Sequence, residues 1–178
     1  HREGMDFQDS IDSLLEAFNM SVSTYIPESI ISRINTTRDT TNGIEIDRYF
    51  SDILTASRTI YRISDGAFDP TVMPLVNAWG FGPERRQDIE EPLLDSLLQL
   101  VDFDAIELRD GVLFKKKPFV QLDFSAIAKG YGVDLVGNFL LSRDVEQYFV
   151  EIGGEVRTLG MSPDGDPWVV GIEKPDPA

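Results

Sequence analysis

Apolar residues recur at helical spacing at Phe7, Ile11, Leu14, Leu15 and Phe18, which predicts an amphipathic helix at the start of the chain. A polar stretch follows from Ser21 to Asn42, interrupted by Pro27, with one short helical turn expected around Ser29–Ile34. Ile46, Phe50, Ile53, Leu54, Ser57, Ile60 and Tyr61 mark a second, longer helix. Gly66 suits the position just past its C-terminus. Residues 66–92 are broken by glycine and proline and show no steady period. Connections of that length are usually functional or disordered, and Phe68, Trp79 and Phe81 argue against disorder.

The second half changes period. After a short helix at Leu93–Leu100, Ala105–Arg109 and Val112–Phe114 read as strands joined through Asp110-Gly111, a strong hairpin signal. Phe119–Leu122 reads as a third strand, leading into Asp123–Gly130. The next helix shows its buried face at Ile127, Tyr131, Leu135, Val136, Phe139 and Leu140. Tyr148–Ile152, Gly153-Gly154 and Glu155–Leu159 form another hairpin pattern, and Trp168–Ile172 reads as a last strand. Hairpin-linked strands with helices set apart from them predict an α+β fold built on an antiparallel sheet.

Composition narrows the function classes. A chain of 178 residues is long enough for one core, and a formal charge of −15 disfavours nucleic acid and anionic lipid as partners. The sequence has no cysteine and a single histidine, His1, so thiolate and histidine-triad chemistry within these residues is excluded. A metal bound here would take oxygen ligands, which points to Mg²⁺ or Ca²⁺. No apolar run approaches the roughly 18 residues needed to span a bilayer.

Three segments carry candidate chemistry. In Asp123–Gly130, Ser125 is expected as an N-cap, which puts Lys129 in or beside the first helical turn, facing the positive end of the helix dipole. Free helix N–H groups with a lysine make an anion cradle; the alternative is a capped helix whose lysine reaches solvent. Asp65-Gly66-Ala67-Phe68-Asp69-Pro70-Thr71 is a loop in which Pro70 keeps Asp69 out of the helical region. It suits either a heterocycle or an ordinary turn. Trp79-Gly80-Phe81-Gly82-Pro83 is either a stacking surface or a set of core plugs, and Tyr25 either meets a ligand or covers a core edge. No catalytic triad, P-loop or dinucleotide fingerprint is present.

Taken in order, these segments resemble the ApbE family. Ser23-Thr24-Tyr25, then Ser29 and Ser32-Arg33-Ile34-Asn35, resemble its early motif. Asp65–Val72 with Pro74-Leu75-Val76 and Trp79-Gly80-Phe81-Gly82 resemble its central signature. Leu122–Tyr131 with Asp134 resembles its "LDxxxIAKGYxxD" element, and Gly153-Gly154, Gly160, Trp168 and Gly171 complete the order.

The resemblance implies a T-fold-like α+β architecture and Mg²⁺-dependent FAD:protein FMN transfer to a threonine hydroxyl, with release of AMP. Hydrolysis of FAD to FMN and AMP, or non-catalytic flavin binding, are the alternatives. Tyr25, Ala67, Phe68, Asp69, Asp123 and Lys129 are implied FAD contacts, and Ala126 is implied to offer a backbone carbonyl to the metal. No catalytic side chain is assigned. The implied acceptor is a subunit of a sodium-translocating NADH:quinone reductase or an Rnf-type complex, and the implied location is extracytoplasmic, on a lipid anchor. The family's Met-Gly-Thr-like strand, lipobox cysteine, histidine-containing segment and Asp-x-x-x-Thr metal site have no counterpart in the sequence. Residues 1–178 are accordingly expected to be one FAD-binding domain cut at both ends, holding part of a metal site and binding FAD weakly, with little or no transfer.

Overall fold

A computed structural model describes residues 6–86 and 88–172. Contacts gather into two compact units. The first is Leu15–Ala128; the second joins the residues up to Leu14 with those from Lys129 onward. Helix α1 spans Gln8–Val22 and helix α6 spans Ser125–Leu141.

In the first unit, α2 (Ile30–Thr36) starts at Ser29, whose hydroxyl accepts from Ser32 N–H. The two-residue strand β1 (Ile44–Glu45) precedes α3 (Arg48–Ile63) and was not expected from the sequence. Asp47 caps α3: its Oδ1 accepts from Phe50 N–H at 2.9 Å and from the Ser21 hydroxyl at 2.7 Å. One carboxylate thus satisfies a helix end and fastens the last turn of α1 to it. The 3₁₀ turn Phe103–Ala105 leads into β2 (Ile106–Arg109), which pairs antiparallel with β3 (Val112–Lys115). Asp110 and Gly111 both have positive φ, as a tight hairpin turn requires, and β3 is the centre of the order β1-β3-β2. The core of this unit is Ile31, Ile34, Phe50, Ile53, Leu54, Phe103, Leu113, Leu122 and Phe124, with the rings of Phe50 and Phe124 edge to face.

Two expectations fail here. Phe119–Leu122 is not a strand. Leu122 instead gives its N–H to Asn35 Oδ1 (2.7 Å) and its C=O to Asn35 Nδ2 (2.8 Å), so a side-chain amide takes the place of a neighbouring strand. A single parallel bridge, Val72 to Gln121, is the only ladder contact near it among the described residues. The stretch read as having no steady period also contains a helix, α4 (Met73–Ala78), while the short helix expected after it is present as α5 (Glu91–Leu98); each has proline in its first turn.

In the second unit, strands β4 (Tyr148–Ile152) and β5 (Glu155–Leu159) form the expected antiparallel hairpin, with positive φ at Gly153 and Gly154. Arg157 ties the hairpin to α6, donating to the Asp134 carboxylate (2.9 Å), the Asp134 carbonyl (3.1 Å) and Asn138 Oδ1 (3.1 Å). Trp168–Ile172 is not a strand. Trp168 packs its indole on Phe149 and donates to the Leu159 carbonyl, but residues 169–172 join no ladder among the described residues; Val169 and Ile172 are 89% and 93% exposed.

Candidate functional site

The loop after α3 is shaped by a Schellman ending. Gly66 N–H bonds the Tyr61 carbonyl at 2.9 Å and Asp65 N–H bonds that of Arg62 at 3.3 Å, with Asp65 at φ 51° and Gly66 at φ 79°. Asp65 therefore takes the left-handed position just past the helix, one residue before the glycine expected there. Ala67 then lies exposed, and Phe68 is half-buried with its N–H on the Ser64 hydroxyl. Asp69 Oδ1 accepts twice from Thr71, from its N–H at 2.7 Å and from its hydroxyl at 2.5 Å.

Thr71 is itself braced from behind. Its Oγ1 accepts from Asp102 N–H at 2.8 Å, and Asp102 Oδ2 pairs with Lys117 Nζ at 2.7 Å. That hydrogen bond from Lys117 is the main reason the Asp102 carboxyl titrates below its ordinary range.

The Asp123 turn repeats this pattern. Asp123 Oδ1 accepts from Ser125 N–H (2.9 Å) and from the Ser125 hydroxyl (2.5 Å). Asp123 N–H donates to the Pro70 carbonyl at 2.7 Å, so the two aspartate turns lie against one another in the first unit. Ser125 is not the N-cap. The Phe124 carbonyl is the first helical acceptor, taking Ile127 and Ala128 N–H, and Asp123 provides the capping carboxylate. The helix start thus offers fewer open N–H groups than expected, since those of Ser125, Ile127 and Ala128 are engaged within it.

Lys129 falls in the second turn of α6 and belongs to the other unit. Its Nζ donates to the Gly153 carbonyl at 2.9 Å and pairs with Glu155 Oε2 at 3.0 Å. Glu155, the first residue of β5, thus supplies the countercharge to Lys129.

Tyr25 lies with the aromatic loop, its hydroxyl donating to the Phe81 carbonyl at 3.2 Å. That loop follows a second Schellman ending: Phe81 N–H bonds the Val76 carbonyl and Gly80 N–H that of Asn77, with Gly80 at φ 81°. Trp79 and Phe81 are exposed, at 42% and 77%, so they are not core plugs. Tyr25, at 67%, is exposed as well. Buried Asn77 leaves its Oδ1 without a hydrogen-bond partner among the described residues, close against Gly82.

Asp69 and Asp123 are brought together; Tyr25 joins Phe81, and Lys129 joins Glu155. Thr71, Asp102 and Glu155 had not been singled out. The recurrence of Asp-x-Thr and Asp-x-Ser at the two turns was the available signal for Thr71; nothing local marks Asp102 or Glu155. No three His, Asp or Glu side chains gather for a metal among the described residues. Ala126 is exposed in the first turn of α6, and its carbonyl alone does not make a magnesium site.

The ApbE family pattern matches residues 2–178. The FAD:protein FMN transferase of Vibrio cholerae is 38% identical over 94% of this chain and 51% of its own length. That of Haemophilus influenzae is 38% identical over 94% of this chain and 50% of its own. The chain therefore spans about half the length of the curated relatives it matches. The solved structure of the flavin transferase ApbE from Vibrio cholerae superposes with a TM-score of 0.93, at 36% identity, over 98% of this chain and 58% of that one.

Proposed function

The chain belongs to the ApbE family, and from that premise we propose that its protein is an FAD:protein FMN transferase. In this reaction a threonine hydroxyl of an acceptor protein attacks the FMN phosphorus of FAD. The phosphorus–oxygen bond to AMP breaks, AMP departs, and the hydroxyl proton is released. Phosphoryl transfer asks a protein for positioning and charge neutralisation more than for covalent help.

In this reading Tyr25, Ala67, Phe68, Asp69, Asp123 and Lys129 contact FAD. Lys129 offers a cation to the diphosphate. Two ionised carboxylates repel phosphate, so Asp69 and Asp123 meet the hydroxyl and amine donors of the dinucleotide. The observation that carries the reading is the Asp123 N–H to Pro70 carbonyl bond, which seats two family motifs against each other within one unit.

The family resemblance supports Mg²⁺ dependence, with Ala126 giving one carbonyl. It also supports an acceptor in a sodium-translocating NADH:quinone reductase or Rnf-type complex, and an extracytoplasmic, lipid-anchored location. Among the described residues no helix is long and apolar enough to cross a membrane. The test is to incubate the complete gene product with FAD, Mg²⁺ and such an acceptor and look for denaturation-resistant flavin fluorescence on the acceptor. Release of FMN and AMP with an unlabelled acceptor would make it an FAD hydrolase. Saturable FAD binding with no turnover would make it a flavin-binding domain.

A further inference from the structure

We propose that Thr71 is a positioning residue for FAD: its hydroxyl and N–H together fix the Asp69 carboxylate, a role that rests on Asp69 contacting FAD as read above. Thr71 is fully buried, and its single hydroxyl proton has a defined destination. Oγ1 accepts from Asp102 N–H at 2.8 Å, while Asp69 Oδ1, an acceptor only, lies at 2.5 Å, so the hydroxyl donates to Asp69. A short hydroxyl-to-carboxylate bond is charge-assisted and strongly directional. With Thr71 N–H on the same oxygen, Asp69 is held through Oδ1 by both donors of one residue.

The brace extends behind Thr71. Asp102, whose N–H holds Oγ1, is anchored by Lys117. Ser125 makes the same pair of bonds to Asp123, with one physical difference: Ser125 is exposed and Thr71 is not. Water can replace a lost Ser125 hydroxyl at Asp123. It cannot reach the buried side of Asp69, where a lost hydroxyl leaves the carboxylate free to turn.

The test titrates FAD into the complete gene product by flavin fluorescence, with thermal melts of every variant. Thr71→Val is expected to weaken FAD binding on the order of tenfold, the loss of about one charge-assisted hydrogen bond. Thr71→Ser, which keeps the hydroxyl, restores binding, and Ser125→Ala has the smaller effect of the two hydroxyl deletions. If Thr71→Val does not fold, Thr71→Ala carries the same expectation. In an Asp69→Asn background, Thr71→Val adds nothing to the loss, which a merely structural role would not predict. Binding that Asp69→Asn loses and Thr71→Val keeps would overturn the Thr71 role and leave the functional reading standing. A wild-type protein that does not bind FAD would overturn both.

Discussion

Lys129 Nζ lies 3.0 Å from Glu155 Oε2, across the hairpin turn whose Gly153 carbonyl also accepts from it. Both side chains are close to half exposed, so the pair contributes little to stability, within about 1 kcal/mol. Its consequence is electrostatic: Glu155 offsets the one cation proposed for the FAD diphosphate. Glu155→Gln is expected to leave the melting temperature nearly unchanged and to tighten FAD binding a few-fold at low salt, about 1 kcal/mol, with the gain fading at high salt. Lys129→Ala should weaken binding. Calorimetric titrations at two ionic strengths check both.

Two glycines of α6 should respond oppositely to alanine. A Cβ at Gly130 meets nothing within 4 Å, so Gly130→Ala is expected to stabilise by roughly 0.5–1 kcal/mol through helix propensity. A Cβ at Gly137 lies 3.0 Å from Arg157 Cδ and Nε and from Tyr148 Oη. Arg157 is tied to Asp134 and Asn138, and Tyr148 is buried, so neither yields easily. Gly137→Ala should therefore destabilise by about 1 kcal/mol, net of its propensity gain. Denaturant midpoints for the pair give the sign directly.

Asn35 is expected to be costly to remove. Its amide satisfies both backbone groups of Leu122. Asn35→Ala leaves a buried donor and acceptor unpaired, a loss of about 2–4 kcal/mol. Because Leu122 precedes Asp123, the same variant should also weaken FAD binding.

Lys115 makes stability depend on pH. The side chain is 3% exposed and donates to the carbonyls of Ile34 (3.1 Å) and Thr37 (2.9 Å), with no carboxylate paired to it among the described residues. Burial, helped by the Arg38 charge, lowers its pKa from 10.5 to about 8. Below that value the ammonium is charged in both folded and unfolded states. Above it the folded protein has released a proton that the unfolded chain still holds, so stability rises through the window from about pH 8 to 10.5. Tyr61, whose pKa is raised from 10.0 mainly by desolvation, acts in the opposite sense from about pH 10 upward. The measurable rise is therefore from pH 8 to 10, on the order of 2 kcal/mol at most, and Lys115→Met should abolish it.

The sequence made some of this structure readable and hid the rest for identifiable reasons. Helices α1, α3 and α6 and both hairpins follow from local period and from Asp110-Gly111 and Gly153-Gly154, because each signal lies within the element it predicts. Helix α4 is less than two turns long with Pro74 inside it, too short for a period to appear. Phe119–Leu122 has a strand's composition, but its hydrogen-bond partner is the side chain of Asn35, far away in sequence. The family motifs picked out Asp69, Asp123 and Lys129. The groups that hold them, Asp102 behind Thr71 and Glu155 beside Lys129, are defined by tertiary contact and leave no local pattern.

The proposed reaction cleaves FAD at its diphosphate and keeps the FMN half on protein. Its most direct measurement is product stoichiometry: intact-mass analysis of the acceptor together with quantified AMP, for the complete gene product and its Asp69→Asn and Asp123→Asn variants. One AMP is expected for each acceptor that gains the mass of FMN less water, with both variants strongly impaired. Equal yields of AMP and free FMN with an acceptor of unchanged mass, or full activity in both variants, would contradict it.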